Sequence, residues 1–150
     1  MSRLNDTGKK YCMKINLNKT KVMKISRNCG DEISIFIDRI KLEQVKKYKY
    51  LGSWLTEDGR TETEIKVRIS MAKEAFCKRK ELLTRGLNKK VKKKIVKTMI
   101  WPVALYGAET WTLKKDDKRR LNALEMWIWR KLEKITWMDH KTNEIGRAHV

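Results

Sequence analysis

An α+β fold follows from three observations on this 150-residue chain. The first third holds short runs in which apolar and polar residues alternate, the period of a strand. The remainder holds long basic runs whose apolar residues recur at helical spacing. Between them lies Asp58-Gly59, a turn dipeptide. Strands that precede helices, instead of alternating with them, predict a small antiparallel sheet followed by an α-helical bundle.

In chain order, Met1 to Lys10 is polar, carries no core pattern of its own and reads as irregular. Ile15 and Leu17 alternate with polar residues, Asn18-Lys19-Thr20 breaks the pattern, and a strand is expected from Lys21 to Ile25. Asn28 to Gly30 with Asp31 is a turn cluster. Ile33, Ile35 and Ile37, with Phe36 between them, predict a strand buried on both faces. Asp38-Arg39 turns the chain, and Ile40, Leu42 and Val45 make the returning strand. Tyr48 through Glu57 then alternates aromatic with polar residues until Gly52 interrupts it, where a strand bends or another backbone comes close.

Thr61-Glu62-Thr63-Glu64 has the pattern of a capping box, which satisfies orphan N–H groups at a helix start. The helix behind it places Ile65, Ile69, Ala72, Phe76 and Leu83 on one face and is expected to run to Gly86. A second helix starts at Asn88, a good N-cap, with Val91, Ile95 and Met99 as its apolar face. Lys89, Lys90, Lys93, Lys94 and Lys97 fall on the opposite side. Pro102 ends or kinks this helix, and Gly107 punctuates the exit. A last helix from Asp116 to Ile135 has two carboxylates in its first turn, where they oppose the dipole favourably. Its stripe is Leu121, Leu124, Ile128, Leu132 and Ile135, widened by Trp127 and Trp129.

Charge narrows the function classes. Lys and Arg number 37 against 18 Asp and Glu, a formal net charge of +19. A field of that sign attracts polyanions, nucleic acid first and an anionic membrane surface second. The three Cys are scattered and only two His are present, which excludes an ordinary zinc finger, argues against a disulfide scaffold and fits a reducing intracellular setting, nucleus or cytoplasm. No apolar run approaches the roughly 20 residues of a membrane span, and the N-terminus lacks a signal-peptide pattern.

The segment from Arg85 to Lys97 has no acidic residue. Solvated helices usually intersperse Glu with Lys, so a one-sided lysine face points to phosphate contacts, which are long-range and blind to sequence. Neutralising about five to seven phosphates gives a salt slope of about −4 to −6 in log affinity against log salt. The six Trp suit base stacking as well as core packing; Trp101 and Trp127 lie in apolar stripes and are expected in the core. Two-metal catalysis needs clustered carboxylates. Asp31-Glu32 and Asp116-Asp117 are the adjacent acidic pairs, and both read better as turn and helix-start residues. Asp139-His140 has neither nucleophile nor third partner beside it. No cofactor is expected.

Four ordered stretches resemble one family. Asn16-Leu17-Asn18-Lys19-Thr20-Lys21-Val22-Met23 is similar to the stretch near the end of the palm in reverse transcriptases of non-long-terminal-repeat (LINE-type) retrotransposons. Tyr48-Lys49-Tyr50-Leu51-Gly52-Ser53 resembles the hairpin that follows, the primer grip. Tyr106-Gly107-Ala108-Glu109-Thr110-Trp111 resembles the signature after the thumb, and Leu121 to Trp129 with Ile135 to His140 and Thr142 to Glu144 resembles the segment beyond. The resemblance implies a palm remnant over 1–58 with its primer-grip-like hairpin, thumb-like helices over 59–113, and a C-terminal helix with an irregular tail over 114–150. It implies nucleic-acid contacts at Tyr50, Leu51 and Gly52, and a proton donor to pyrophosphate at Lys19 or Lys21. The aromatic-Ala-Asp-Asp strand that holds magnesium in that family is expected upstream of Met1, and Ile145 to Val150 match nothing in the pattern. The chain therefore reads as a truncated reverse transcriptase, an RNA-directed DNA polymerase fragment that binds RNA–DNA primer–template or other nucleic acid without polymerising as an isolated chain. Two alternatives stand beside it: a protein-interaction module using an exposed apolar face of the 116–135 helix, and a nonfunctional, partly folded remnant.

Overall fold

The computed structural model describes residues 2–26, 32–84 and 86–139. The expected turn cluster at 28–31, Arg85, His140 and the tail to Val150 lie outside the described residues. The fold is α+β, and the chain divides into two compact units, Met1–Thr61 and Glu62–Val150.

The first unit opens with a helix, α1 (Ser2–Lys10), where the sequence pattern predicts irregular chain. Two devices hold it, one of them long-range. Asn5, buried, donates from Nδ2 to Asp38 Oδ1 at 3.0 Å, and Lys9 Nζ reaches the same oxygen at 3.0 Å. At the other end Met13 N–H donates to the Gly8 carbonyl and Cys12 N–H to that of Lys9, with Cys12 at φ 57°. That is a Schellman stop with Cys where glycine is usual, so no glycine marks it in the sequence.

Three two-stranded ladders follow among the described residues. β1 (Lys21–Val22) pairs in parallel with β4 (Glu43–Gln44). β2 (Phe36–Ile37) pairs antiparallel with β3 (Ile40–Lys41), and β5 (Lys47–Tyr50) antiparallel with β6 (Ser53–Thr56). The strand expected over Lys21–Ile25 thus forms only at its start. The Ile33–Ile37 run is buried on one face, not two: Ile37 is buried while Phe36 is exposed. Asp38 and Arg39 both take positive φ, as do Leu51 and Gly52. Positive φ at both central residues marks a two-residue turn of the I′ kind, whose twist matches that of the flanking strands. Gly52 therefore belongs to a hairpin turn and does not interrupt a strand. The core of this unit is small, with Ile37 and Leu42 fully buried.

The helical unit holds the main core. α2 (Glu62–Lys78) buries Ile65, Ala72 and Phe76, and Ile69 packs beside them, as the periodicity predicts. It stops before Gly86, however; a break at Arg79 leads into a short α3 (Lys80–Thr84) that buries Leu83. Asn88 caps α4 (Lys89–Ile95) by accepting the Lys90 N–H at 3.1 Å. A π-helical turn, Val96–Ile100, then carries the helix into α5 (Trp101–Ala104). Pro102 has no N–H and its ring crowds the carbonyl four residues back, so the chain widens by one residue; Trp101 N–H donates five back, to Val96. α6 (Lys115–Leu132) ends one turn earlier than the sequence stripe. Lys134 takes φ 55° and Ile135 N–H returns to the Arg130 carbonyl at 2.9 Å, again a Schellman stop without glycine.

α2 packs against both α5 and α6. One core joins Ala72, Phe76, Leu83, Val96, Ile100, Ala104, Leu124, Ile128, Trp129 and Leu132, so the 59–113 and 114–139 helices share it. Trp101 and Trp127 pack on its edge, as expected, and the Phe76 and Trp127 rings meet edge to face with centroids 5.2 Å apart.

A candidate nucleic-acid interface

The lysine helix is the first component. Of the expected apolar face Ile95 packs against the core, Val91 and Met99 are exposed, and Val96 and Ile100 of the π turn are buried. Lys90, Lys94 and Lys97 are exposed at positions i, i+4 and i+7, a stripe along one side. Among the described residues none of the three is held in an ion pair. Lys93, expected on the open face, is half-buried. Lys89 is exposed, but its ammonium lies 3.2 Å from Glu133. No acidic residue occurs between Glu81 and Glu109, so nothing along the helix itself neutralises the stripe.

The first unit offers a separate candidate, the β5–β6 hairpin. Tyr50, Leu51 and Gly52 occupy its tip, with Leu51 the most exposed large apolar residue of the unit. Lys47 Nζ lies 5.6 Å from the centre of the Trp54 ring. The two candidate proton donors part company here. Lys21 is tied to Glu43 at 2.9 Å across the parallel ladder. Lys19 sits in the exposed turn after Asn16, whose Oδ1 accepts its backbone N–H at 3.2 Å, and has no ion-pair partner among the described residues.

A group that the sequence patterns pass over lies in the helical unit. Glu64 and Arg68 are both buried, with Arg68 Nε 2.6 Å from Glu64 Oε1. The guanidinium carbon lies 4.3 Å from the centre of the Tyr106 ring. The signal was available: Glu and Arg at i, i+4 beside a core stripe. The pair ties α2 to the Tyr106-Gly107 turn, where Gly107 takes φ 73°. Arg120 links α6 to the start of α2 in a similar way, donating to Asp117 at 2.9 Å and to Glu62 at 2.8 Å. Beside Glu62, the Lys66 ammonium first and the Arg120 guanidinium second hold its carboxyl below the usual carboxylate range.

Among the described residues no three Asp, Glu, His or Cys converge. Asp117 is buried against Arg120 and accepts the Lys114 N–H at 3.2 Å; Asp116 faces Arg119 at 3.3 Å. Those are helix-start roles, and these donor sets do not fit magnesium. Asp139 accepts from the Thr136 backbone and hydroxyl, closing a local turn. Of the α6 stripe, Leu124, Ile128, Trp129 and Leu132 are buried in their own unit's core. No described helix is long and apolar enough to cross a membrane.

No protein-family model and no solved structure matches the chain. Over 142 residues, 92% of its length, it is 25% identical to an uncharacterized transposon-derived protein of Caenorhabditis elegans. The chain spans about half the length of that relative, 50%. The likeness supports a transposon-related origin.

Proposed function

We propose that the chain is a piece of a retrotransposon reverse transcriptase that binds nucleic acid, with the α4 lysines as its main phosphate contacts. One observation carries the reading: Lys90, Lys94 and Lys97 are exposed along one side of a helix, in a stretch without a single carboxylate. Ammonium groups on flexible stems suit phosphates, and such contacts position a strand without reading its sequence. The ordered resemblance of the Asn16–Met23, Tyr48–Ser53 and Tyr106–Trp111 stretches to LINE-type enzymes supports the reverse-transcriptase origin, and the transposon-derived relative agrees with it at a coarser level. In this reading the β5–β6 hairpin is the primer grip, α2 through α5 are the thumb, and RNA–DNA primer–template is the preferred partner. Polymerisation requires carboxylates that these 150 residues do not supply, so the isolated chain binds without catalysing. Of the two motif lysines, Lys19 is the one open to a phosphate, because Lys21 is engaged with Glu43.

The test is a fluorescence titration against RNA–DNA hybrid, duplex DNA and single-stranded RNA at several salt concentrations. Changing Lys90, Lys94 and Lys97 to Gln is expected to flatten the salt slope by about 3, at roughly 0.9 per phosphate contact on duplex. An unchanged slope removes α4 as the contact surface.

A further inference from the structure

No carboxylate stands in the chain between Glu81 and Glu109, so the α4 lysines can meet one only from another element of the fold. Glu133 supplies it. It caps the C-terminal end of the 18-residue α6, and its carboxylate lies 3.2 Å from the Lys89 ammonium at the start of α4. The end of a long helix carries the negative pole of its dipole, where a carboxylate is unfavourable unless a cation meets it. Lys89 is that cation. The Glu133 side chain is only 26% exposed, so the pair is screened less than one held fully in water. Lys90, Lys94 and Lys97, by contrast, run along the exposed side of the next two turns, over about 10 Å of helix.

We propose that Glu133 withholds Lys89 from phosphate and so ends the contact track of α4 at Lys90. The proposal rests on the nucleic-acid reading above and names what bounds that site. A phosphate that approaches Lys89 meets a carboxylate already in place and the negative pole of α6 beside it, both of its own sign. To bind there it must take the ammonium away from Glu133 and leave that carboxylate at the pole. One residue further on, among the described residues, no ion pair competes for Lys90. Glu133 is a positioning residue: it touches no nucleic acid and acts through Lys89.

The experiment titrates the full chain with a labelled DNA duplex at several salt concentrations and compares slopes. Glu133→Gln is expected to bind about two- to fivefold more tightly at low salt, the worth of an exposed ion pair, and to steepen the slope by about 0.9, one further phosphate contact. Glu133→Asp keeps the charge, which the long Lys89 stem can follow, and keeps the original slope. Lys89→Gln alone leaves the slope unchanged, and Lys89→Gln/Glu133→Gln returns it to the original value. A slope that stays steep in the double variant overturns the proposal, because loss of a negative charge then suffices without Lys89. A flatter slope for Lys89→Gln alone also overturns it, because Lys89 then already holds a phosphate; this variant leaves Glu133 and the end of α6 intact. If Glu133→Gln leaves the slope unchanged while the Lys90, Lys94 and Lys97 changes flatten it, the α4 reading stands and this one falls; if neither set of changes moves the slope, both fall.

Discussion

Removing Arg68 alone is expected to destabilise the helical unit far more than removing it together with Glu64. The two side chains are 7% and 4% exposed, and Arg68 Nε lies 2.6 Å from Glu64 Oε1. Arg68→Met takes from the buried Glu64 carboxylate the guanidinium that lies against it, which costs about 3–5 kcal/mol. A unit of this size holds only about 5–10 kcal/mol in total, so the single variant sits near the edge of folding. Glu64→Leu/Arg68→Met removes both charges at similar volume and is expected within about 2 kcal/mol of the original chain, or above it. Tyr106→Ala, which strips the ring from the guanidinium face and leaves the ion pair, costs about 1 kcal/mol. The measurement is urea unfolding followed by tryptophan fluorescence, since Trp127 and Trp129 lie in this unit's core. A single-variant cost below about 1 kcal/mol refutes the reasoning. So does a double variant whose cost equals the sum of the singles, because the pair would then carry no coupling.

Two further predictions follow from the same structure. Phe76→Ala opens a cavity at the centre of the helical core and unseats the Trp127 ring, so it should cost about 3–5 kcal/mol and shift tryptophan emission; retention of both stability and emission would show that the core packs otherwise. The Asp58 carboxyl is held below its usual range, first by the Thr56 hydroxyl and next by the Arg60 backbone N–H. A carboxyl lowered on folding stabilises above its unfolded value, about pH 4, and that contribution is lost as pH falls through the lower folded value. Asp58→Asn should flatten the acid limb of the first unit's stability there, and an acid limb identical to that of the original chain would show that the turn is not set by this charge.

The resemblance and the charge both lie in the linear chain, because motifs and composition need no tertiary contact to be read. The α+β class, the core stripe Ile65–Ala72–Phe76, the Asn88 cap and the Asp58-Gly59 turn were legible for a related reason: periodicity and capping act within a few residues. Events with no local marker were not legible. α1 is anchored by an Asn5–Asp38 bond across 33 residues and stopped by Cys12 in a glycine's place. β1 pairs in parallel with a strand far along the chain, a choice that alternation cannot express. The most consequential miss is one residue wide. A π turn stands at Val96–Ile100 ahead of Pro102, and Val91 and Met99 lie exposed while Lys93 is half-buried. The sequence by itself settled that this segment is a lysine-rich helix. Which lysines face solvent was decided by how Val96, Ile100 and Ala104 fill the core against α2 and α6, because burial of apolar volume outweighs the placement of any one flexible ammonium.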